Sequence, residues 1–159
     1  MIDQIVRDLK FKDVMERNIK NLIAYLFDNN VHFSVVCNIK MTEFDPELPD
    51  DIYSKFKPLT LFALAGYTFD SAFIDNENNL CFEAGFGADN FGSFVKVPLF
   101  AILQVVLEDS VIAINLTAGT EEFKESAINE NSDEGLKKSM SALLANPENK
   151  KFLKNKKVN

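Results

Sequence analysis

Phenylalanine is distributed unevenly along this sequence, and its distribution limits where a hydrophobic core can form. Of the fifteen Phe residues in the 159-residue chain, thirteen lie before residue 118, and only Phe123 and Phe152 follow. Aromatic side chains contribute much of the apolar area that a core buries. We therefore predict one folded domain over residues 1–117, followed by a flexible linker and tail over residues 118–159 with little core of its own.

The charges divide at the same point. Residues 1–117 carry nine basic and seventeen acidic side chains, whereas residues 118–159 carry eight and seven. Binding to nucleic acids or to anionic membranes requires a cationic face that releases counterions. The acidic domain therefore argues against both classes of partner.

The N-terminal segment has charged residues every few positions and lacks the continuous apolar region of a signal peptide. No stretch approaches the roughly 20 apolar residues that cross a bilayer. We predict a soluble, cytoplasmic protein without a membrane partner. Its two cysteines, Cys37 and Cys81, are then reduced apolar residues.

The first part of the domain changes from a helical to a strand period. Five apolar residues follow the helical spacing i, i+4, i+7, i+8 and i+11, namely Met15, Ile19, Leu22, Ile23 and Leu26. Asn29 and Asn30 end this helix. Residues 31–39 then alternate with a period of two, which predicts a strand with one apolar face.

The remaining pattern is mainly that of short strands. Asn76 to Asn79 predict a hairpin turn, and Pro98 predicts the start of a helix that carries Leu99, Ile102, Leu103 and Val106. A short helical turn is expected at 52–56, and strands at 59–67, 69–75, 80–86, about 94–97, and 111–116. This order predicts an α+β, mainly β fold: a small, partly open barrel or a curled antiparallel sheet with the N-terminal helix beside it.

Two features stand out in the tail. Apolar residues at helical spacing, Leu136, Met140, Leu143 and Leu144, predict a short amphipathic helix before Pro147. From residue 149 onward the chain has five Lys and no acidic residue.

Residues that could support catalysis are sparse. His32, the sole histidine, lies on the opposite strand face from Phe33 and Val35, and Cys37 faces away from it. A Cys–His pair is therefore not expected, and both cysteines are interpreted as inert. We predict that the protein is not an enzyme and uses no cofactor.

Neither of the two remaining clusters fits a ligand motif. The acidic group Asp45, Glu47, Asp50 and Asp51 contains two prolines and lacks the central glycine of a calcium loop. The glycines between residues 85 and 92 have the wrong spacing for a nucleotide fingerprint and lead into a strand. We predict no metal site. Because the sequence offers neither catalytic residues nor a ligand motif, we interpret the protein as a binding module.

The segment LCFEAGFGADNFGSFVKVPLFAIL, residues 80–103, resembles the core of the stringent starvation protein B (SspB) family. These bacterial adaptors deliver tagged polypeptides to the ClpXP unfoldase–protease. The family pattern F-x-A-x-F falls on Phe82, Ala84 and Phe86, and V-P-hydrophobic-x-A falls on residues 97–101. The order of elements extends the resemblance over roughly residues 12–117.

The resemblance implies an Sm-type small β barrel, a homodimer formed through the first helix, and a groove on each subunit. That groove binds an extended peptide, mainly the ssrA-type tag added to stalled translation products. The implied dimer interface comprises Met15, Ile19, Leu22, Ile23 and Leu26. The implied peptide-binding residues are Phe62, Leu64, Ala65, Phe82, Glu83, Ala84, Gly85, Phe86 and Gly87.

The residues themselves allow this interpretation and one other. Ala84 has a small side chain and Gly85 has none, so another backbone can approach the strand closely at these residues. Phe62, Phe82 and Phe86 offer apolar pockets. Alternatively, Gly85 and Gly87 mark a bulge or a barrel corner. Glu83 is either a polar contact in the groove or part of the solvent face.

The tail departs from the family pattern. Family members carry a long acidic linker that ends in a basic and hydrophobic motif, which docks on the ClpX unfoldase. Here the linker is short, and the ending supplies Phe152, Leu153, Lys157 and Val158 as candidate docking residues. A Lys-rich ending is also the ordinary composition of a solubilising tail.

Two other functions remain open at this stage. One is a small barrel that binds RNA, which would need a basic face rich in aromatic residues. Lys96 is the only Lys or Arg among residues 60–100, which disfavours this function. The other is a structural or inhibitory protein-interaction module that binds its partner through the first helix.

Overall fold

Two consecutive helices form the N-terminal part of the molecule. The computed structural model describes residues 1–118, and helices α1 (Ile2–Arg7) and α2 (Leu9–Asp28) come first. Asp8 separates them, and its side chain accepts a hydrogen bond of 2.8 Å from the backbone N–H of Lys10, which caps α2. Asn30, at a φ of 55°, follows the end of α2. The predicted first helix is therefore confirmed.

The strands of the described residues form two antiparallel sheets of four strands each. The first sheet has the order β3 (Leu59–Leu64), β1 (Phe33–Asn38), β7 (Ile102–Leu107) and β8 (Ser110–Ile114). The second has the order β2 (Glu43–Asp45), β6 (Phe91–Pro98), β5 (Asn79–Phe86) and β4 (Phe73–Ile74). Two short helices, α3 (Asp50–Tyr53) and α4 (Tyr67–Ser71), complete the described elements.

The predicted α+β class with an N-terminal helix is confirmed, but its sheet arrangement needs a correction. The strands do not form one curled sheet, and the two sheets do not close into a barrel. Each sheet therefore has two edge strands. Strand β3 is one of those in the first sheet, and β4 is one of those in the second.

The core lies between the two sheets and is covered on one side by α2. Alternate residues of each strand point into it, as the period of two predicts for β1. Its buried members include Ile19, Ile23 and Leu26 from α2, Phe33, Val35, Phe62 and Val105 from the first sheet, and Leu80, Phe82, Val95 and Val97 from the second.

Two predicted elements are wrong in type. Residues 69–75 do not form a strand, because Gly66, at a φ of 57°, ends the preceding extended segment and α4 follows it. Only the two residues of β4 are extended there. The helix predicted after Pro98 is a single 3-10 turn, Leu99–Ala101, followed by β7. Five residues of β7 in succession are buried, and such a continuous apolar run fits a buried strand and a helix equally well.

Other predicted elements are confirmed with small changes of boundary. The hairpin turn after Asp75 leads into β5, and Asn78 has the positive φ, 60°, that tight turns favour. The helical turn lies at Asp50–Tyr53, slightly earlier than predicted. None of the helices among residues 1–118 combines the length and the apolarity needed to span a membrane. The predicted tail helix and the docking residues of the C-terminal end lie outside the described residues.

The carboxylate of Asp75 organises the β4–β5 hairpin and provides a pH-dependent test of the fold. Its Oδ1 atom accepts hydrogen bonds of 2.9 Å from the backbone N–H groups of Glu77 and Asn79. Desolvation opposes ionisation here, but hydrogen bonds from Asn79 and Glu77 outweigh it and hold the pKa of Asp75 below its ordinary value of 3.8.

We expect the Asp75→Ala variant to lose about 1 kcal/mol of unfolding free energy at neutral pH. Because the pKa of Asp75 is lower in the folded state, the ionised carboxylate stabilises the fold above about pH 4, and this contribution is lost as the pH falls further. Urea unfolding of both proteins at neutral pH and near about pH 3 measures the difference. An equal difference at both pH values would contradict this explanation.

Candidate functional site

One edge of strand β5 is only partly covered by other strands. Strand β6 pairs with β5 over its whole length, from Asn79 to Phe86. On the opposite edge, β4 pairs only with Leu80 and Cys81. From residue 82 to residue 86, this second edge has no strand partner among residues 1–118.

Hydrogen bonds show which backbone groups point toward the open edge. The carbonyl of Asn79 accepts from the N–H of Asp75 at 3.0 Å, and the N–H of Glu83 donates to Oγ of Ser71 at 2.9 Å. In an antiparallel ladder, alternate residues bond to opposite neighbours. The N–H and C=O groups of Gly85 therefore point to the same edge as those of Asn79 and Glu83. Because the Glu83 N–H is already bonded to Ser71 of α4, an added strand would pair with the backbone groups of Gly85.

A notch lies on the outer face of the second sheet beside this edge. Gly85 and Gly92 lie opposite each other in the β5–β6 register, so neither residue adds a side chain of its own to this part of the face. The notch has a volume of about 490 Å³, which is within the range of ligand pockets. Its lining residues are Tyr67, Thr68, Glu83, Ala84, Gly85, Asn90, Gly92, Ser93 and Phe94.

The two glycines of the notch differ in the space around them. A Cβ atom at Gly85 would lie 1.8 Å from Oδ1 of Asn90, so the Asn90 side chain lies directly over Gly85. A Cβ atom at Gly92 would meet nothing within 4 Å. A Cβ atom at position 92 would therefore lie in open space.

Tyr67 and Glu83 form one wall of the notch. The hydroxyl of Tyr67 donates a hydrogen bond to Oε2 of Glu83. This hydrogen bond and the negative charge of Glu83 raise the pKa of Tyr67 above its ordinary value of 10.0. Phe94 lies opposite Glu83 in the register, and its ring centroid is 6.3 Å from that of Phe73. The notch thus combines an aromatic surface with a carboxylate and backbone groups.

Three of the predicted peptide-binding residues line the notch, namely Glu83, Ala84 and Gly85. Two others lie at the surface nearby in the chain: Ala65 is exposed at the end of β3, and Gly87 is exposed at a φ of 73°. A Cβ atom at Gly87 would lie 3.0 Å from Cδ1 of Ile52, so the backbone there approaches α3 closely.

The apolar residues predicted for the groove occupy the core instead. Phe62, Leu64 and Phe82 are buried between the sheets, and Phe86 is half-buried against them. The reason is the alternation of β5, in which even-numbered residues face inward and odd-numbered residues face outward. Phe82 and Glu83 therefore cannot contact one ligand on the same face.

The residues predicted to form a dimer interface are also largely used within one chain. Ile19, Ile23 and Leu26 are buried in the core, while Met15 and Leu22 are half-buried. The stripe that was predicted for a partner therefore covers the sheets of its own chain. Its two half-buried members are the part left at the surface.

Several residues of the notch were not predicted from the sequence. Tyr67 and Thr68 begin α4, where the pattern predicted the end of one strand at residue 67 and the start of the next at residue 69, so their position over β5 was missed. The spacing of Gly85 and Gly92 was the available signal, because two glycines at equal distances from the centre of one hairpin face each other across it.

The cysteines and the histidine lie away from the notch. Burial raises the pKa of Cys37 to about 12. Burial and the nearby charge of Asp75 raise the pKa of Cys81 to about 11, so both thiols are protonated at neutral pH. His32 is exposed, with its ring centroid 4.6 Å from that of Phe69. In residues 1–118, no three His, Cys, Asp or Glu side chains are grouped to hold a metal ion.

The Tyr67–Glu83 contact makes a specific prediction about titration. In the Glu83→Gln variant, the pKa of Tyr67 should fall toward its ordinary value, because the anionic acceptor that favours the neutral phenol is removed. The Tyr67 ring resonances followed by NMR against pH measure this shift. The matched Glu77→Gln variant removes the same charge elsewhere and should leave the pKa of Tyr67 unchanged. An equal effect in both variants would show that the contact is not formed in solution.

Comparison with known proteins adds no assignment to this site. The sequence matches no protein-family model and no curated protein.

Proposed function

We propose that this protein is a non-catalytic peptide-binding adaptor of the SspB kind, which recognises ssrA-type degradation tags and delivers the tagged polypeptides to the ClpXP protease. The observation that carries the proposal is the open edge of β5 beside a notch whose floor consists of Gly85 and Gly92. The sequence resemblance over residues 80–103 supports the same function.

An extended peptide fits this edge by adding a strand to the second sheet. Main-chain hydrogen bonds to an exposed sheet edge supply affinity, and pockets for alternate side chains supply specificity. The backbone groups of Gly85 point to the edge, and the notch beside it accepts a side chain against Phe94 and Tyr67. The amide of Asn90 offers a donor and an acceptor to the peptide backbone.

The charge of the notch favours a peptide over RNA. None of its nine lining residues is Lys or Arg, and Glu83 contributes a carboxylate. Binding a phosphate backbone would place negative charges next to that carboxylate without cations to compensate them. The RNA-binding alternative is therefore disfavoured by the site itself.

The proposed function also includes a homodimeric state and a cytoplasmic location for the protein. The half-buried residues of α2, Met15 and Leu22, lie beside the exposed apolar side chains of Val14 and Tyr25 and would form the core of a homodimer interface. The family resemblance further relates the two sheets to an open form of the Sm-type barrel. Delivery to an unfoldase places the activity in the cytoplasm.

Titration of a fluorescently labelled tag peptide against the purified full-length chain tests the proposal. We expect saturable binding at micromolar concentrations, and weaker binding of a peptide with the same composition in reversed order. The absence of saturation at high micromolar concentration would refute the proposed function.

Removal of residues 152–159 separates binding from delivery. If the basic ending docks on the unfoldase, tethering raises the local concentration of cargo without changing the notch. The truncated protein should therefore bind the tag peptide with unchanged affinity but fail to stimulate degradation of a tagged substrate. Raised ionic strength should weaken stimulation by the intact chain more than it weakens peptide binding. Full stimulation by the truncated protein would show that the ending is only a solubilising tail.

A further inference from the structure

The outer face of the second sheet carries a row in which one aromatic ring lies between two carboxylates. Phe94 of β6 lies opposite Asp45 of β2 and opposite Glu83 of β5 in the two registers. Directly paired residues of an antiparallel sheet point to the same face. Phe44 and Phe82, their neighbours in β2 and β5, pack toward the core. The row therefore points outward, and both of its carboxylates are exposed.

Neither carboxylate of this row forms an ion pair with a Lys or Arg among residues 1–118. Glu83 accepts a hydrogen bond from the Tyr67 hydroxyl at Oε2, which leaves its Oε1 atom available. The next row along the sheet is different, because there Glu43 lies opposite Lys96. The row around Phe94 thus places negative charge beside an aromatic ring, and the sheet pairs no cation with it.

The aromatic rings at this place suit a cation. Phe94 is half-buried, and its ring centroid is 6.3 Å from that of Phe73, which is 46 % exposed. Tyr67 lines the notch together with Phe94. An ammonium or guanidinium group over an aromatic ring is attracted by the negative face of the ring, and a nearby carboxylate adds a charge-assisted hydrogen bond. An uncharged aliphatic side chain gains neither interaction.

We propose that the notch binds a Lys or Arg side chain of the extended polypeptide, with the cationic group over Phe94 and between the carboxylates of Glu83 and Asp45. The Asn90 amide, which lies over Gly85, adds an acceptor oxygen on the other side of the notch. This inference rests on the proposed peptide binding and deepens it, because it names the chemistry of one side chain of the ligand.

The geometry of an added strand favours a long side chain. A strand beside β5 lies two strand spacings from β6, which is about 10 Å between backbones. In an antiparallel pairing, the ligand residue opposite Gly85 places its side chain on the outer face, and long side chains reach diagonal neighbours across a sheet. The stems of Lys and Arg lie along apolar surface while their charged ends reach a polar partner. A short side chain would end before it reached Phe94.

The charge of the domain disfavours other occupants. Residues 1–117 carry nine basic and seventeen acidic side chains, so the domain attracts a cationic segment and repels an acidic one. An aromatic side chain could stack on Phe94, but it would leave Glu83 and Asp45 without a cation. A cationic side chain is the one class that uses the ring and both carboxylates.

A pair of small probes tests this subsite without the tag peptide. N-acetyl-L-arginine amide carries the proposed cation, and N-acetyl-L-citrulline amide has nearly the same shape without the charge. NMR of the full-length chain follows the backbone N–H signals of Gly85 and Gly92 during titration of each probe to millimolar concentration. We expect the arginine probe to shift both signals with saturation and the citrulline probe to bind at least about fivefold more weakly.

Variants of the row assign the binding to its side chains. Glu83→Gln should weaken binding of the arginine probe at least about threefold, whereas the matched Glu77→Gln variant removes the same charge in the β4–β5 turn and should leave it unchanged. Phe94→Leu should weaken binding about as much, and Phe94→Tyr, which keeps an aromatic face, should restore it. Equal effects of Glu83→Gln and Glu77→Gln would overturn the proposal, because only the net charge would then matter.

The outcomes distinguish this subsite from the proposed function. Equal binding of the two probes to the parent protein, or no saturable shift at Gly85 and Gly92, would overturn the subsite, and this comparison does not depend on a variant that folds. Tag-peptide binding would then still support the proposed function. Conversely, preferential binding of the arginine probe at the notch would support the subsite even if the tag peptide failed to bind, and that failure would refute the proposed function alone.

Discussion

The Gly92→Gln variant should lose at least about tenfold in affinity for the tag peptide while keeping the stability of the parent protein. A Cβ atom at position 92 meets no other atom within 4 Å, and the residue has no positive φ, so the fold accepts a side chain there. That side chain enters the notch above the Gly85–Gly92 pair and occupies the space of the peptide. Fluorescence anisotropy measures the affinity, and thermal unfolding measures the stability.

Graded controls make this experiment specific to the notch. Gly92→Ala adds only a methyl group and should reduce affinity less than Gly92→Gln does. Gly66→Gln is not a useful control, because Gly66 has a φ of 57° and its replacement would strain the backbone. If Gly92→Gln leaves the affinity unchanged, the peptide does not use the notch.

The Leu26→Ala variant should lose about 2–5 kcal/mol of unfolding free energy, the range for a large apolar side chain removed from a core. Leu26 is buried among Phe33 and other inward side chains, so its removal leaves a cavity between α2 and the sheets. Urea unfolding measures the loss. A loss below about 1 kcal/mol would show that α2 does not pack on its own sheets in solution.

Leu22 provides the contrasting position on the same helix. It is only half-buried, so Leu22→Lys should cost much less unfolding free energy than Leu26→Ala does. Under the proposed function, Leu22→Lys should also convert the dimer to a folded monomer, which analytical ultracentrifugation detects. If the parent protein is itself a monomer at tens of micromolar, the proposed dimer is wrong.

The sequence predicted well those elements whose apolar pattern has one clear period. The stripe from Met15 to Leu26 has helical spacing, and the asparagines around Asn78 permit the backbone angles of a hairpin, so helix α2 and the β4–β5 turn appear as predicted. The run from Leu99 to Val106 has no distinct period because β7 is buried on both faces. Local pattern therefore could not distinguish its strand from a helix.

The candidate site shows a different limit. Ala84 and Gly85 were predicted from their own chemistry, since small residues in a strand permit close approach of another backbone, whereas Glu83 was predicted from the family resemblance. The apolar pockets were assigned to Phe62 and Phe82, but these side chains point to the core, on the other face from Glu83. Tyr67 lies in the notch because α4 packs beside β5. No local pattern in the sequence indicated this tertiary contact.

The central claim, that the open edge of β5 pairs with an extended peptide, is tested most directly by backbone amide exchange. NMR of the full-length chain at saturating tag peptide measures the exchange rate of the Gly85 N–H, which points to this edge, with Val105 in the first sheet as the reference. The claim predicts that peptide binding slows exchange at Gly85 by at least about tenfold and leaves Val105 unchanged. Saturable binding with unaltered exchange at Gly85 would contradict it.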